Sequence, residues 1–326
     1  MKEKHNVEEK TSKELVVNFI KVIEDASSYL FSLNHSLPYS YIGYACGFLR
    51  YYYTLEFTTC ALNNVMYKST DNADAKTDKI IKYAMDKGIK FYDFRFGFSK
   101  AEYSCDKKTN SIYKGLKSIK YMNEQVAEEL FKLAKNKYEN FVDLLVDVVE
   151  KTTVNSRQMK ILIKLDFFDM FGKNKYLLDT YECFTKKYKK TLKQETKLKR
   201  IDMIKNEIAS YKNEELSIKE RLETESEFLG YLTYKNDKIK DDVFYIVEIE
   251  GNYQNKMMIL HRLKDGVGYK YKLNKRIIEE IGVQKGQIVK ILSLEKRPQN
   301  VKINGSWKQN FDHMETHITS LKIIKS

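Results

Sequence analysis

Few residues of this chain are spaced for catalysis. His313 and His317 stand at i, i+4, but Met314 and Glu315 between them do not give the H-E-x-x-H order of a zinc hydrolase, so they read as two isolated imidazoles. Asp241-Asp242 is the one acidic pair ahead of an expected strand. Two-metal phosphoryl chemistry needs carboxylates that converge from different strands on ions about 3.5–4 Å apart. No other segment offers this pair a partner, and it reads as a solvated turn. Walker-type phosphate loops, G-x-G-x-x-G and G-x-S-x-G are missing. Cys46, Cys60, Cys105 and Cys183 make neither a C-x-x-C pair nor zinc-finger spacing, and are expected as buried, reduced thiols of a cytoplasmic protein. The sequence therefore predicts no catalytic residue, no metal site and no cofactor bound by this chain.

Binding chemistry is better supplied. Lys and Arg number 58 against 45 Asp and Glu, a net charge of +13 over 326 residues. The excess is spread along the chain, which favours a polyanion, nucleic acid before a membrane surface. Residues 186–200 concentrate it: seven lysines and Arg200 against Glu195 alone. On one continuous helix, Lys186, Lys189, Lys190, Lys193, Lys197 and Arg200 would share a side and form a track for phosphates, or simply a solvated face. Further on, Tyr269-Lys270-Tyr271-Lys272 alternates aromatic and cation, and Phe244, Tyr245, Tyr253 and Trp307 add faces on which unpaired bases could stack. Tyr269 and Tyr271, two apart on a strand, should point to one side. Hydrophobic residues make up 42%, enough for packed cores, and no run of about 18 apolar residues suggests a membrane span. No secretory signal follows Met1.

The elements that carry these residues change character along the chain. Apolar residues at helical spacing (Leu15, Val16, Phe19, Ile20, Ile23) predict a helix over 7–33, broken at Asn34-His35-Ser36-Leu37-Pro38, where proline should forbid continuation. An aromatic-rich stretch follows from Tyr39 to Met66, then a helix from Asp74 to Lys87 capped by Gly88. Ile89 and Phe91, then Phe94, Phe96 and Phe98 alternating with Arg95 and Gly97, predict strand and turn. Asn123, Asn140 and Asn155 are placed to cap short helices. The helix through 186–200 is expected to continue to Leu229. From Val243 onward five or six short strands separated by glycine turns, with a short helix near Arg276 to Ile281, suit a small barrel of the oligonucleotide-binding kind.

Several of these stretches resemble, in order, the family C replicative polymerases, the DNA polymerase III alpha subunit family. Asn34-His35-Ser36, with Leu55-Glu56-Phe57 and Ala61-Leu62-Asn63-Asn64, resembles the end of that family's fingers, although the N-K-S-H step is shortened and Tyr53-Thr54 replaces Tyr-Pro. Ser99-Lys100-Ala101-Glu102-Tyr103 resembles its S-x-A-x-F/Y step. Gly115-Leu116-Lys117-Ser118-Ile119-Lys120 is similar to the opening of its helix-hairpin-helix region. The run Asn155-Ser156-Arg157-Gln158 through Phe167-Phe168-Asp169 resembles the N-x-R segment, and Glu227-Phe228-Leu229-Gly230 the E-x-L-G before the terminal barrel.

The resemblance implies an α+β chain in four parts: the end of the fingers (1–88), a helix-hairpin-helix region (89–185), a basic helical connector (186–239) and an OB-like barrel (240–326). It implies the C-terminal, DNA-binding portion of a replicative polymerase, holding template-primer duplex and unpaired template, with Asn34, His35 and Ser36 facing the incoming nucleotide. Lys117, Lys120, Tyr121 and Asn123 would meet DNA at the hairpin. Hairpin turns of this kind usually carry glycines that let backbone N–H groups approach a phosphate. Here the turn is Lys120-Tyr121-Met122-Asn123, with Asn123 as the residue that tolerates a left-handed backbone, so packing and phosphate contact both stay open. The family's catalytic carboxylates and their magnesium lie in a palm outside this sequence. The chain alone is not expected to polymerise, and a palm-containing polypeptide is the implied partner. No Q-x-x-L-F-type clamp motif is visible, and association with a sliding clamp stays open. A free-standing, non-catalytic DNA-binding replication accessory protein is the alternative.

Overall fold

A computed structural model describes residues 9–28, 33–67, 73–251, 256–273, 277, 280–303 and 306–324. Two compact units divide the chain, residues 1–58 and 59–326.

The first unit is helical. α1 is Glu9–Ser28, α2 is Leu33–Tyr52, and α3 is Thr54–Tyr67, which begins in this unit. Pro38 lies inside α2, so the expected break at Asn34–Pro38 is not there. Proline removes one backbone donor near the start of the helix, and Leu33 to Tyr52 carry the helix past that loss. The interruption falls at Tyr53 instead, between α2 and α3. Tyr39, Tyr41, Tyr44 and Tyr51 of α2 are exposed, as are the periodic apolar residues Leu15, Phe19 and Ile23 of α1.

In the second unit α4 (Ala73–Asp86) ends at Gly88, whose φ of +74° provides the left-handed exit. β1 (Lys90–Tyr92) and β2 (Ser104–Asp106) flank β3 (Ser111–Tyr113), parallel and antiparallel respectively. The alternation of Phe94, Phe96 and Phe98 is not a strand. Phe94 and Phe96 are both buried in a turn where Gly97 takes φ +86°, and the Phe96 N–H donates to the Phe167 carbonyl at 2.9 Å. A turn of 3-10 helix, Leu116–Ser118, precedes α5 (Glu124–Leu133), α6 (Phe141–Lys151) and α7 (Ser156–Lys164). All three expected asparagine caps form: Asn123, Asn140 and Asn155 accept from the N–H groups of Val126, Asp143 and Gln158. Each cap contributes about 1 kcal/mol. The inward faces of these helices, with Phe167, Phe168 and Phe184, form one closed apolar core.

α8 (Asn174–Lys187), α9 (Gln194–Ile208) and α10 (Ile218–Phe228) complete the helical part. The continuous helix expected through 186–200 is broken at 188–193. Tyr188 is the extended C-cap of α8, its ring buried in the core and stacked on Phe184 at 4.9 Å, and the next helix restarts after Lys193.

Strands β4 (Val243–Glu250), β5 (Lys256–Arg262), β6 (Gly268–Leu273), β7 (Ile288–Ile303) and β8 (Ser306–Ile324) close a barrel in the order β4-β5-β6-β8-β7. The α+β architecture with a terminal OB-like barrel is therefore present. Part of the expected helix near Arg276 lies outside the described residues; Ile277 is buried in the barrel core. β6 meets β8 in a short parallel seam, Lys272↔His317 and Leu273↔Ile318. From Lys296↔Thr316 to Ile303↔Ser306, β7 and β8 pair only with each other among the described residues.

Candidate nucleic-acid interface

The hairpin of residues 116–126 is held from three sides. On the first, the Leu116 and Lys117 N–H groups donate to the carbonyls of Lys100 and Ala101, both at 2.9 Å. This close crossing requires Gly115, where a Cβ would lie 2.3 Å from the carbonyl carbon of Glu102. The crossed segment is fixed in turn by Asn63 of α3, whose amide exchanges two hydrogen bonds with the Tyr103 backbone, at 2.8 and 3.0 Å. On the second side, the Lys120 N–H donates to the Phe228 carbonyl at 2.9 Å, tying the turn to the end of α10. On the third, the Gln158 side chain of the α7 capping box donates to the Tyr121 carbonyl at 2.9 Å.

The left-handed residue of the turn is Tyr121, with φ +70°, and not Asn123. Asn123 is extended, at φ −127°, because its side chain is engaged as the N-cap of α5. A tyrosine in this conformation costs about 1–2 kcal/mol relative to glycine. The Gln158 bond and the packing of its ring offset that cost. The Tyr121 ring meets Phe228 edge-on at 6.3 Å, and the Arg157 guanidinium lies over its face, 3.4 Å from the ring centre. Backbone donors in the turn are partly engaged: Lys120 as above, Met122 by the Ile119 carbonyl, and Val126 by Asn123.

Lys120 is exposed beside this turn, whereas Lys117 is not a free cation. It donates to the Tyr67 hydroxyl at 3.0 Å, sits over that ring and pairs with Glu124 at 3.4 Å. These partners, Tyr67 first, hold its ammonium pKa above the ordinary value.

The lysine cluster is also divided. Since residues 188–193 are not helical, Lys186, Lys189, Lys190, Lys193, Lys197 and Arg200 do not form a single helical track. Lys197 pairs with Glu150 of α6 at 2.7 Å, Lys190 donates to the Glu150 carbonyl at 2.8 Å, and the Tyr188 hydroxyl donates to the Glu150 carboxylate at 2.8 Å. Lys197 first, then Tyr188, hold the Glu150 pKa below the ordinary carboxylate range. Lys187 pairs with Glu207. Lys186, Lys189 and Lys193 are exposed and make no ion pair among the described residues, and Arg200 is half-buried.

In the barrel, Tyr269 and Tyr271 do share a side, opposite Leu260 and Met258 of β5. That side is the core side: both rings are half-buried against the barrel core, 5.5 Å apart, and Tyr269 meets Phe244 edge-on at 5.7 Å. Arg262 lies over the Tyr269 ring at 4.8 Å. Lys270 and Lys272 pair with Glu250 and Glu315. Trp307 sits on β8 opposite Lys302 in register.

Asn34, His35 and Ser36 are exposed on the first turns of α2. The buried-thiol expectation holds for Cys183 only; Cys46 and Cys60 are exposed and Cys105 is half-buried, all unpaired. Asp241 and Asp242 pair with Lys264 and Lys290, at 2.8 and 3.2 Å. Among the described residues no cluster of His, Cys, Asp or Glu could hold a metal ion, and no helix is long and apolar enough to cross a membrane. A cavity of about 230 Å³ between the segment after β1, the end of α7 and α10 is lined by Arg95, Asp166, Asp169, Arg221 and Glu225. Arg221 bridges Asp166 at 2.9 Å and Glu225 at 3.5 Å. Burial raises the Asp166 pKa against the opposing effect of Arg221.

Sequence reasoning passed over Arg157 as a site residue. It stood there only as the arginine of the N-x-R segment, with no role assigned, and the ring it covers is 36 residues earlier.

A moored hairpin between a turn of 3-10 helix and the capped helix α5, followed by a closed five-stranded barrel, resembles the helix-hairpin-helix class. Residues 88–178 match the family described as "Helix-hairpin-helix motif". Up to three-quarters of the chain is similar to DNA polymerase III alpha subunits, and what it resembles is that subunit's C-terminal portion. The alpha subunit of Ureaplasma parvum is 27% identical over 75% of this chain and 25% of its own length. That of Treponema pallidum is 28% identical over 66% of this chain and 18% of its own, and that of Aquifex aeolicus 28% over 64% and 16%. The chain thus spans a quarter or less of these relatives.

Proposed function

We propose that this chain is the DNA-holding C-terminal part of a replicative polymerase alpha subunit. The carrying observation is the hairpin at 116–126. It lies within the segment that matches the helix-hairpin-helix family, and it is fixed by Gly115, Gln158 and Phe228 in a geometry that leaves Lys120 and the Tyr121 ring outward. In this reading the hairpin and the exposed Lys186, Lys189 and Lys193 bind the template-primer duplex through its phosphates. The barrel takes unpaired template, the role that its fold suits. Asn34, His35 and Ser36 face the incoming nucleotide once a palm-containing polypeptide is in place. The nucleotidyl-transfer chemistry and its magnesium belong to that palm.

The test is fluorescence anisotropy of a labelled primer-template duplex, together with primer extension with and without a palm-containing partner. The expected result is salt-dependent, sequence-tolerant binding by the chain alone, and extension only with the partner. Failure to bind duplex at low salt, or metal-dependent extension by the purified chain alone, overturns the reading.

A further inference from the structure

Resting on that reading, we propose that the hairpin grips a DNA backbone phosphate with the Arg157 guanidinium, laid flat on the Tyr121 ring, in place of a glycine-lined backbone nest.

Three observations carry it. First, the backbone donors of the turn are already occupied in part: Lys120 donates to Phe228, Met122 to Ile119, and Val126 to Asn123. Second, the Arg157 carbon centre lies 3.4 Å from the Tyr121 ring centre, so that the cation rests on the ring face. Stacking uses the face of the guanidinium and leaves its N–H groups, which lie in the plane, directed outward for the bidentate geometry that phosphate accepts. Third, the pair is presented to solvent. Arg157 is exposed, Tyr121 is 52% exposed, and Arg157 makes no ion pair among the described residues.

The platform is fixed in two further ways. The Tyr121 carbonyl accepts from Gln158, the neighbour of Arg157, so ring and guanidinium are referenced to the same turn of α7. Phe228 braces the ring edge-on at 6.3 Å. The side chain that makes a left-handed backbone costly at position 121 thus provides the support for the cation. Lys120, exposed beside it, offers a second charge to the neighbouring phosphate.

The experiment is a titration of labelled primer-template duplex at several salt concentrations, with Arg157→Gln, Tyr121→Phe and Tyr121→Asn. Losing one phosphate contact should weaken binding about tenfold and flatten the log K against log salt slope by about 0.9. Arg157→Gln is expected to do both and, since the Gln158 bond and the Phe228 contact remain, to lower the melting temperature by a few degrees at most. Tyr121→Phe keeps the ring and should bind like the parent. Tyr121→Asn keeps a residue tolerant of the left-handed backbone but removes the ring. It should lose part of the affinity, and lose nothing more in the Arg157→Gln background. The slope does not depend on the folded fraction, so it stays readable if a variant is less stable. Parent-like affinity and slope for Arg157→Gln, in a protein that binds duplex, overturn this inference and leave the proposed function standing. Absence of duplex binding by the parent overturns the proposed function itself.

Discussion

Replacing Lys186, Lys189 and Lys193 together by alanine should change DNA binding without changing the fold, and replacing Lys190 and Lys197 should do the reverse. The structure separates the two groups. The first three are exposed and make no ion pair among the described residues. The other two converge on Glu150, Lys197 on its carboxylate at 2.7 Å and Lys190 on its carbonyl at 2.8 Å, and the Lys197 side chain is only 14% exposed. Each phosphate contact on duplex DNA contributes about 0.9 to the slope of log K against log salt. If all three exposed lysines touch phosphate, the triple variant flattens the slope by about 2.7, with a parent-like melting temperature. The Lys190→Ala, Lys197→Ala variant leaves the Glu150 carboxylate without its cation and the Glu150 carbonyl without the Lys190 donor. It should lose about 1–2 kcal/mol, seen as a drop of a few degrees in melting temperature, with a slope within about one unit of the parent. Anisotropy across a salt series and a thermal melt of each variant suffice. A slope unchanged in the first variant, or changed equally in both, refutes the division of the cluster.

Tyr271→Leu should lower barrel stability by about 1–2 kcal/mol, because the ring packs on the core beside Tyr269, and folded protein should keep its affinity for oligo-dT; a selective loss of that affinity with normal melting would place the ring at the binding surface instead. Gly115→Ala brings a Cβ to 2.3 Å from the Glu102 backbone and should cost about 3 kcal/mol or more, weakening duplex binding as the hairpin shifts, while a parent-like melt would show that the crossing is looser than described. Arg262 first, then the Val267 N–H, hold the Asp265 carboxyl down to about 2 from 3.8. A depressed carboxylate stabilises the fold above its unfolded pKa and releases that stability as pH falls through the folded one. The barrel should therefore weaken between about pH 4 and about pH 2, and Asp265→Asn should flatten that stretch of the pH–melting curve; an unchanged curve sinks the assignment.

Local signals were legible and long-range ones were not. The caps at Asn123, Asn140 and Asn155 could be read because each bond spans three residues. Gly88 could be read because a helix exit needs its backbone. The break at 188–193 could not, since the Tyr188 hydroxyl is held there by a carboxylate 38 residues earlier. Alternation correctly put Tyr269 and Tyr271 on one side of β6, but it cannot tell the core side from the open side, which depends on β5 across the pair. Pro38 was weighed as a breaker, yet the helix runs through it from Leu33 to Tyr52. Phe94 and Phe96 imitate a strand because both are buried, yet a glycine at φ +86° turns the chain immediately after them. At the hairpin, the motif located the turn, but the exchange of roles between Tyr121 and Asn123 followed from a cap bond and a stacked arginine.

The pairing of β7 and β8 outlasts the barrel that they help to close. From Lys296 to Ile303 the ladder has no third strand among the described residues, a reach of roughly 25 Å at about 3.3 Å per residue. A lone two-stranded ribbon is marginally stable in water. Its amides should therefore exchange with solvent in sequence, fastest near Ile303 and Ser306 and slowest where Val289 faces Ile323, so the ribbon frays from its tip toward a fixed root. Any body laid along it would reveal itself by slowing exchange at the tip first, with the barrel serving as an internal clock.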